Sequence, residues 1–383
     1  MRIGLSADWH LACHRVLGGP VDAGVNLRCR LIGEAGARMI ARAAAEGCDR
    51  FAILGDLFDR GKPSPEEIGV AAKVFADSPI PVYVIPGNHD RSSDEPGNNA
   101  LAALVGTKNC IVVDEPTYLE DGVILAPFSP RPPVEYFAEV LRSASPGQKH
   151  LLGHVGIVGL GTPDFMAAGR NIITVEEIFS LDWNTSGGGG FSEDTHAMLR
   201  SFCSGDFHRH EIHDGVLGAV NIVQVGALCQ ANFGDPPEVG RLCILDTDKG
   251  GITEIYTVPG PRFLTEAFAD LKRTVMGGEP FYTDRKDTRG CDIFLSVTCA
   301  TGEEQEETRA LLQGIEMAAG GEGGDLCGWK TELAQGDAQR SEVVEAVRGS
   351  VQVEEALQEW AAAQPVDEAV RERAVQIALE CLR

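Results

Sequence analysis

Short apolar runs that stop abruptly at glycine or charged residues recur along the first two thirds of the chain. Ile3 and Leu5 alternate ahead of Asp8. Phe51-Ala52-Ile53-Leu54 ends at Gly55-Asp56, Val82-Tyr83-Val84-Ile85 ends at Pro86-Gly87-Asn88-His89, and Leu151-Leu152 leads into Gly153-His154. Runs of this length and composition predict buried strands. Between them the period changes. Leu27, Leu31, Ala35, Met39 and Ala43, joined by Ile32 and Ile40, recur at helical spacing and predict an amphipathic helix to about Glu46. Ser64-Pro65-Glu66-Glu67 has the form of a capping box with proline at the first helical position, and opens a helix to about Ala76. Further strands are expected at Ile111–Val113, Val123–Ala126 and Asn221–Val225. A hairpin is expected where Leu242–Asp246 and Ile252–Thr257 flank Asp248-Lys249-Gly250-Gly251. Strand, polar cluster, helix, strand is the order of an α/β layered fold with its chemistry at strand ends.

Beyond Pro259-Gly260-Pro261 the pattern restarts, and with 383 residues more than one unit is expected. Ile293, Leu295, Val297 and Cys299 alternate as a half-buried strand, Glu303 to Leu312 has a polar-faced helical pattern, and Gly320–Gly324 precedes another short strand. Val353, Leu357 and Trp360, then Val370, Ala374, Ile377 and Cys381, mark two terminal helices, each with an apolar stripe of the kind that docks on a partner. The expected division is 1–260, a small α+β unit at 261–338, and a helical tail at 339–383. The run Gly187–Gly190 reads as a surface loop.

Composition narrows the class. Hydrophobic residues make up 43% of the chain, enough for a core, and no apolar run approaches the roughly 20 residues of a membrane span. The N-terminus reads directly into a strand without a signal-peptide layout, so a cytoplasmic protein with no membrane association is expected. The 11 cysteines contain no Cys-x-x-Cys pair, which argues for reduced core thiols over a disulfide framework or a zinc finger. A net charge of −24 argues against a broad basic face for nucleic acid. Carboxylates that hold cations account for part of that charge, and a local basic rim is compatible with it.

The polar clusters carry the chemistry. They are Asp8-Trp9-His10, Gly55-Asp56-Leu57-Phe58-Asp59, Gly87-Asn88-His89-Asp90, the isolated His154, and Gly205-Asp206-Phe207-His208. Taken singly, Asp-x-His, Gly-Asp or Asn-His-Asp after a strand is ordinarily a turn. Taken together, in this order, they supply oxygen and imidazole ligands without a thiolate, which suits hard to borderline divalent ions. Two ions about 3.5–4 Å apart need a bridging carboxylate, for which Asp56 is the candidate. Asp8, His10 and His208 would complete one shell, and Asn88, His154 and Asp206 the other. The pair would activate water for in-line attack on phosphorus. His89 is a candidate proton donor to the leaving oxygen, oriented by Asp90. Arg60, Lys62, Arg91, Arg131 and Arg209 lie beside the clusters in sequence and are candidate phosphate contacts. His210 and His213 read as exposed polar residues.

The ordered set of motifs resembles the calcineurin-like metallophosphoesterase superfamily. Within it, Asp8-Trp9-His10-Leu11, Gly55-Asp56-Leu57-Phe58-Asp59 and Val225-Gly226-Ala227-Leu228-Cys229-Gln230, followed by Asn232-Phe233-Gly234-Asp235, resemble the SbcD-type DNA repair nucleases and the recombination endonuclease subunits of large tailed phages. The resemblance covers about residues 1–260. It implies a two-sheet sandwich flanked by helices, with a DNA-facing cap domain. It also implies manganese, with magnesium the alternative, and 3′-to-5′ exonuclease and endonuclease activity on DNA. A homodimer and an SbcC-type ATPase gripping the C-terminal helices are implied as partners. Asp8, His10, Asp56, Asn88, His154 and His208 match ligands and His89 the catalytic histidine. The family pattern Gly-His-x-His is replaced by Gly205-Asp206-Phe207-His208, with a carboxylate in place of an imidazole. Two other functions fit the residues: a free phosphoesterase for nucleotides or phosphoproteins, which the acidic charge favours, and a scaffold with a degenerate site.

Overall fold

The computed structural model describes residues 1–333 apart from 16, 94, 96, 146–149, 160–170, 182–198, 214–219, 237–238, 250, 259, 277–292 and 319–325. The four-glycine run at 187–190 and the terminal helices expected after residue 350 lie outside the described residues.

Among the described residues two six-stranded sheets face each other. In the first, the parallel neighbours Arg2–Ser6, Arg50–Leu54, Val82–Ile85 and Cys110–Val112 are extended on one side by the antiparallel hairpin Arg241–Asp246 and Gly251–Thr257. In the second, Val123–Ala126, His150–His154, Ser201–Gly205 and Asn221–Gln224 run parallel, with antiparallel edges at Thr117–Tyr118 and Glu211–His213.

The strand residues alternate between two cores, which explains their continuous apolar character. Ile3, Leu5, Ala52, Leu54, Leu125, Leu152, Cys203 and Val223 pack between the sheets. Phe51, Ile53 and Val84 point outward against Ile32, Met39 and Ile40 of the helix Leu27–Ala45 and Phe75 of the helix Pro65–Ala76. Each such side chain taken from water contributes about 1.5–3 kcal/mol. The second helix has the capping box that its sequence predicts. The outer face of the second sheet is covered by Phe137, Val140 and Leu141 of the helix Pro133–Arg142. That helix is absent from the sequence-based expectations, although its apolar residues stand three and four apart.

The segment beyond residue 260 forms a three-stranded parallel sheet of Arg262–Ala267, Ile293–Cys299 and Leu326–Leu333, with Ile293–Cys299 in the middle. The alternation predicts a half-buried strand there, yet Phe294 and Ser296 are buried as well as the alternating Ile293, Leu295 and Val297. One face packs on Leu271 and Leu312 of the helices Phe268–Met276 and Gly302–Ala318. The other presents Phe263, Phe294 and Cys327 to Leu31 of the first long helix. No helix among the described residues is long and apolar enough to cross a membrane.

Candidate metal centre

The parallel strands of both sheets end on one side of the sandwich, and the polar clusters leave the sheets there. The loops are stitched together by backbone bonds: Asp8 N–H donates to Gly55 O at 3.1 Å, and Trp9 and His10 N–H both reach Asp56 O, at 2.9 and 3.0 Å. Seven non-glycine residues have positive φ among the described residues, and Asp8, His10, Asp56 and Asp206 are four of them. Such backbone costs about 1–3 kcal/mol per residue and persists only where surrounding structure enforces it, commonly at functional sites. Two glycines permit the approach. A Cβ on Gly55 would stand 2.1 Å from His154 Nδ1, and one on Gly87 would stand 2.0 Å from Asp56 Oδ1.

The seven expected ligands converge in two groups. In the first, His10 Nε2 and His208 Nε2 are 2.9 Å apart. Their far nitrogens face carboxylates, His10 Nδ1 at 3.5 Å from Asp59 and His208 Nδ1 at 3.0 Å from Asp235. In the second, His154 Nδ1 donates to Leu54 O at 2.8 Å, which turns Nε2 toward the site. That nitrogen faces Asn88 Oδ1 at 2.8 Å, Asp56 Oδ2 at 3.4 Å and Asp206 Oδ1 at 3.5 Å. Asp56 lies between the groups. Its Oδ1 accepts the His89 N–H at 2.9 Å, while Oδ2 is 3.4 Å from His154 Nε2 and 3.9 Å from His10 Nε2. The buried Asp8 accepts the Asp206 N–H on both oxygens, at 3.0 and 3.2 Å. The triads His10–Asp56–His89 and Asp8–Asp56–His154 each place ligand atoms close enough to share an ion, and Asp56 is common to both.

This donor set fits divalent cations. Two imidazole nitrogens at 2.9 Å match neighbouring vertices of one shell, since metal–nitrogen bonds of about 2.0–2.1 Å at a right angle give about 2.9 Å. The far-side carboxylates and the Leu54 carbonyl are the outer partners that metal-bound histidines ordinarily have. The electrostatics agree. Burial pushes the Asp8 carboxyl up to about 6 against the pull of His154 and His208. Burial pushes Asp56 the same way, but His154, His10 and His89 outweigh it and hold Asp56 below the usual carboxylate range. Burial would depress His154, and Asp56 and Asp206 instead raise it well above an ordinary histidine. A buried cluster of carboxylates and imidazoles that needs added positive charge is one that a cation stabilises.

Asp206 occupies its place at φ +98°, and its Oδ1 accepts a 3.0 Å bond from Asn171 Nδ2. Asn88 and His89 form the exposed rim of the site. His89 Nδ1 lies 3.0 Å from Asp59 O. Asp90 does not take the orienting role expected of it. It is fully buried, and its carboxyl accepts backbone N–H bonds from Phe58 at 2.8 Å, Gly87 at 2.9 Å and Leu57 at 3.2 Å. It therefore joins the Asp56 and Asn88 loops, and the carbonyl of Asp59 is what meets the His89 ring.

The basic candidates separate. Arg60 is paired with the buried Glu67 at 2.7 Å and Arg131 with Glu139 at 2.8 Å, while Arg91 bonds to Ser93 O and Glu95 O at 3.1 and 3.2 Å. Lys62 and Arg209 are exposed. His213, expected at the surface, is 8% exposed because its strand is folded onto the second sheet, and His210 is half-buried with Nδ1 3.1 Å from Val225 O. Asp59, Asn171 and Asp235 join the site without having been expected there. Asp59 and Asp235 stand inside quoted motifs, whereas no sequence signal marks Asn171.

Residues 1–186 match the family model for calcineurin-like phosphoesterases. They belong to the calcineurin-like metallophosphoesterase superfamily. The two facing mixed sheets flanked by helices are the metallophosphoesterase fold, and the superfamily's use of divalent metals agrees with the cluster at Asp56. Asp206, His208 and Asp235 lie beyond the matched segment. The chain is 36% identical over 78 residues to the DNA double-strand break repair protein Mre11 of Archaeoglobus fulgidus, covering 19% of this chain and 18% of that one. It is 44% identical over 55 residues to a UDP-2,3-diacylglucosamine hydrolase of Stenotrophomonas maltophilia, covering 13% and 22%. The matches thus span less than a quarter of either curated relative. Among solved structures, the protein TT1561 of Thermus thermophilus aligns with a TM-score of 0.40 at 14% identity, over 67% of this chain and 98% of its own.

Proposed function

We propose that this chain is a two-metal phosphodiesterase that cleaves DNA, an exonuclease and endonuclease subunit working as a homodimer beside an SbcC-type ATPase. The observation that carries the phosphodiesterase reading is the position of Asp56 Oδ2, within 4 Å of both His10 Nε2 and His154 Nε2. Asp8, His10, Asp56 and His208 would hold one ion, and Asp56, Asn88, His154 and Asp206 the other. Oxygen and imidazole donors suit manganese, or magnesium in its place. When bound, the ions supply Lewis-acid activation of water and offset the charge of the phosphate oxygens. The chain's own residues do the rest. Asp59 O fixes the His89 ring with its Nδ1–H inward, so a protonated His89 presents Nε2–H at the rim, where a leaving oxygen can take it. Asp90 keeps the Asp56 and Asn88 loops at a constant separation. The similarity to Mre11 and the SbcD-like motifs support DNA as the substrate.

The acidic charge and the paired state of Arg60 and Arg131 favour a second reading, a free phosphoesterase acting on nucleotides or phosphoproteins. Purified full-length chain with Mn2+ separates the two on labelled duplex DNA and bis(p-nitrophenyl) phosphate. Chelator-sensitive cleavage of both supports the nuclease. Cleavage of the small diester alone selects the phosphoesterase. Silence on both with two Mn2+ bound leaves the scaffold.

A further inference from the structure

The loop at 230–235 reaches the metal centre through one side chain. Asp235 Oδ2 is 3.0 Å from His208 Nδ1 and also accepts the N–H groups of Ala231 at 2.5 Å and Asn232 at 3.3 Å, while Oδ1 accepts from Asn232 Nδ2 at 3.2 Å. Every other neighbour bonded to this carboxylate is a donor, so the His208 contact is satisfied only if Nδ1 also donates. The tautomer of the neutral ring is thereby set, with its lone pair on Nε2, the atom that faces His10. The loop is itself held. Gln230 Nε2 donates to Asp235 O at 2.9 Å, and Gln230 Oε1 accepts the Phe263 N–H of the small sheet at 2.8 Å. Phe233 packs edge-on against Phe263 with ring centroids 5.0 Å apart.

We propose that Asp235 is a positioning residue for His208, holding its ring and tautomer so that Nε2 is available to the ion shared with Asp8, His10 and Asp56. The assignment rests on the two-metal reading of the site. The bond to a fixed carboxylate also raises the ligand's basicity, and removing such a partner costs about 10- to 100-fold in metal affinity.

Mn2+ titration of chelator-treated full-length protein, with free Mn2+ read by electron paramagnetic resonance, tests this. The wild type is expected to bind two ions. Asp235→Asn and Asp235→Ala should bind one as the wild type does and the other about 10- to 100-fold more weakly. Asn232→Ala, which loosens the same loop but leaves Oδ2 against His208, should bind both normally. In the Zn2+-loaded protein the His208 Nδ1–H proton should be observable and slow to exchange in the wild type, and lost to exchange in Asp235→Ala. Wild-type affinity at both positions in the two Asp235 variants overturns the assignment and leaves the two-metal reading intact. An equal loss in Asn232→Ala overturns it too, since loop integrity would then be the cause. A wild type that binds no pair of ions overturns both.

Discussion

His89 separates proton transfer from metal binding. Its ring is exposed and turned onto Asp59 O, and only its backbone N–H reaches Asp56. Its side chain nevertheless lies close enough to His10 and Asp56 to form a triad with them. His89→Ala is therefore expected to lower Mn2+-dependent cleavage by about 10²–10⁴-fold with two Mn2+ still bound. Parallel loss of one ion and of activity would make it a ligand instead. His208, like His154, contributes to the pH dependence of binding. Burial would lower it, but Asp235 and then Asp8 outweigh burial and hold it at about 9. A raised value means the proton stays on until pH exceeds it, so an incoming ion must displace that proton at neutral pH. The apparent Mn2+ dissociation constant should fall as pH rises from 7 to 8, by up to about tenfold per unit for each proton displaced. Below about 6, protonation of Asp8 steepens the dependence. A flat profile from pH 6 to 9 would show that no such proton is displaced.

At the level of elements, the ligand-bearing segments are legible in the sequence because of where apolar runs stop. A strand covered on both faces has no place for a carboxylate until it leaves the sheet, so Asp8, Asp56, Asn88, His154 and Asp206 each mark a strand end. What the chain does not show is which way a side chain turns after that point. Asp90 follows His89 directly, which suggests a partner for it, yet Asp90 faces inward to the backbone of another loop. Asp235 is bonded to His208 although the strands Glu211–His213 and Asn221–Gln224 lie between them in the chain, a relation only the tertiary fold creates. Ile293–Cys299 has a half-buried pattern because Ser296 and Thr298 alternate with apolar residues, but the central strand of a layered sheet buries both faces. Gly87 gives a test at this scale. It lets the Asn88 turn lie on Asp56, where a Cβ would come within 2.0 Å of Oδ1 and 2.4 Å of the backbone nitrogen. Both atoms belong to a loop pinned by Asp90, so neither can yield cheaply. Gly87→Ala should destabilise the protein by about 1–3 kcal/mol and weaken Mn2+ binding together, read by thermal melting and metal titration. Unchanged values for both would mean that the two loops are not in fixed contact.

Across the whole molecule, charge decides how a nucleic acid could be held. With 57 acidic and 33 basic residues the net charge of −24 repels a polyanion at long range, and attraction must be local. Of the five basic candidates, Arg60 and Arg131 are paired with Glu67 and Glu139, Arg91 is bonded to two loop carbonyls, and Lys62 and Arg209 stand exposed. A duplex held by two such contacts releases few counterions. Its affinity should then fall by only about tenfold between 50 and 200 mM salt, against about 10³–10⁵ for proteins making six to ten phosphate contacts. Binding of this kind draws on the catalytic centre itself, where bound ions would supply the missing positive charge. DNA affinity should accordingly depend more on Mn2+ than on salt. Fluorescence anisotropy of labelled duplex across both variables, with His89→Ala to suppress cleavage, distinguishes the cases. A steep salt dependence that persists in chelator would place a basic surface elsewhere on the full-length chain and remove the centre from its leading role in DNA capture.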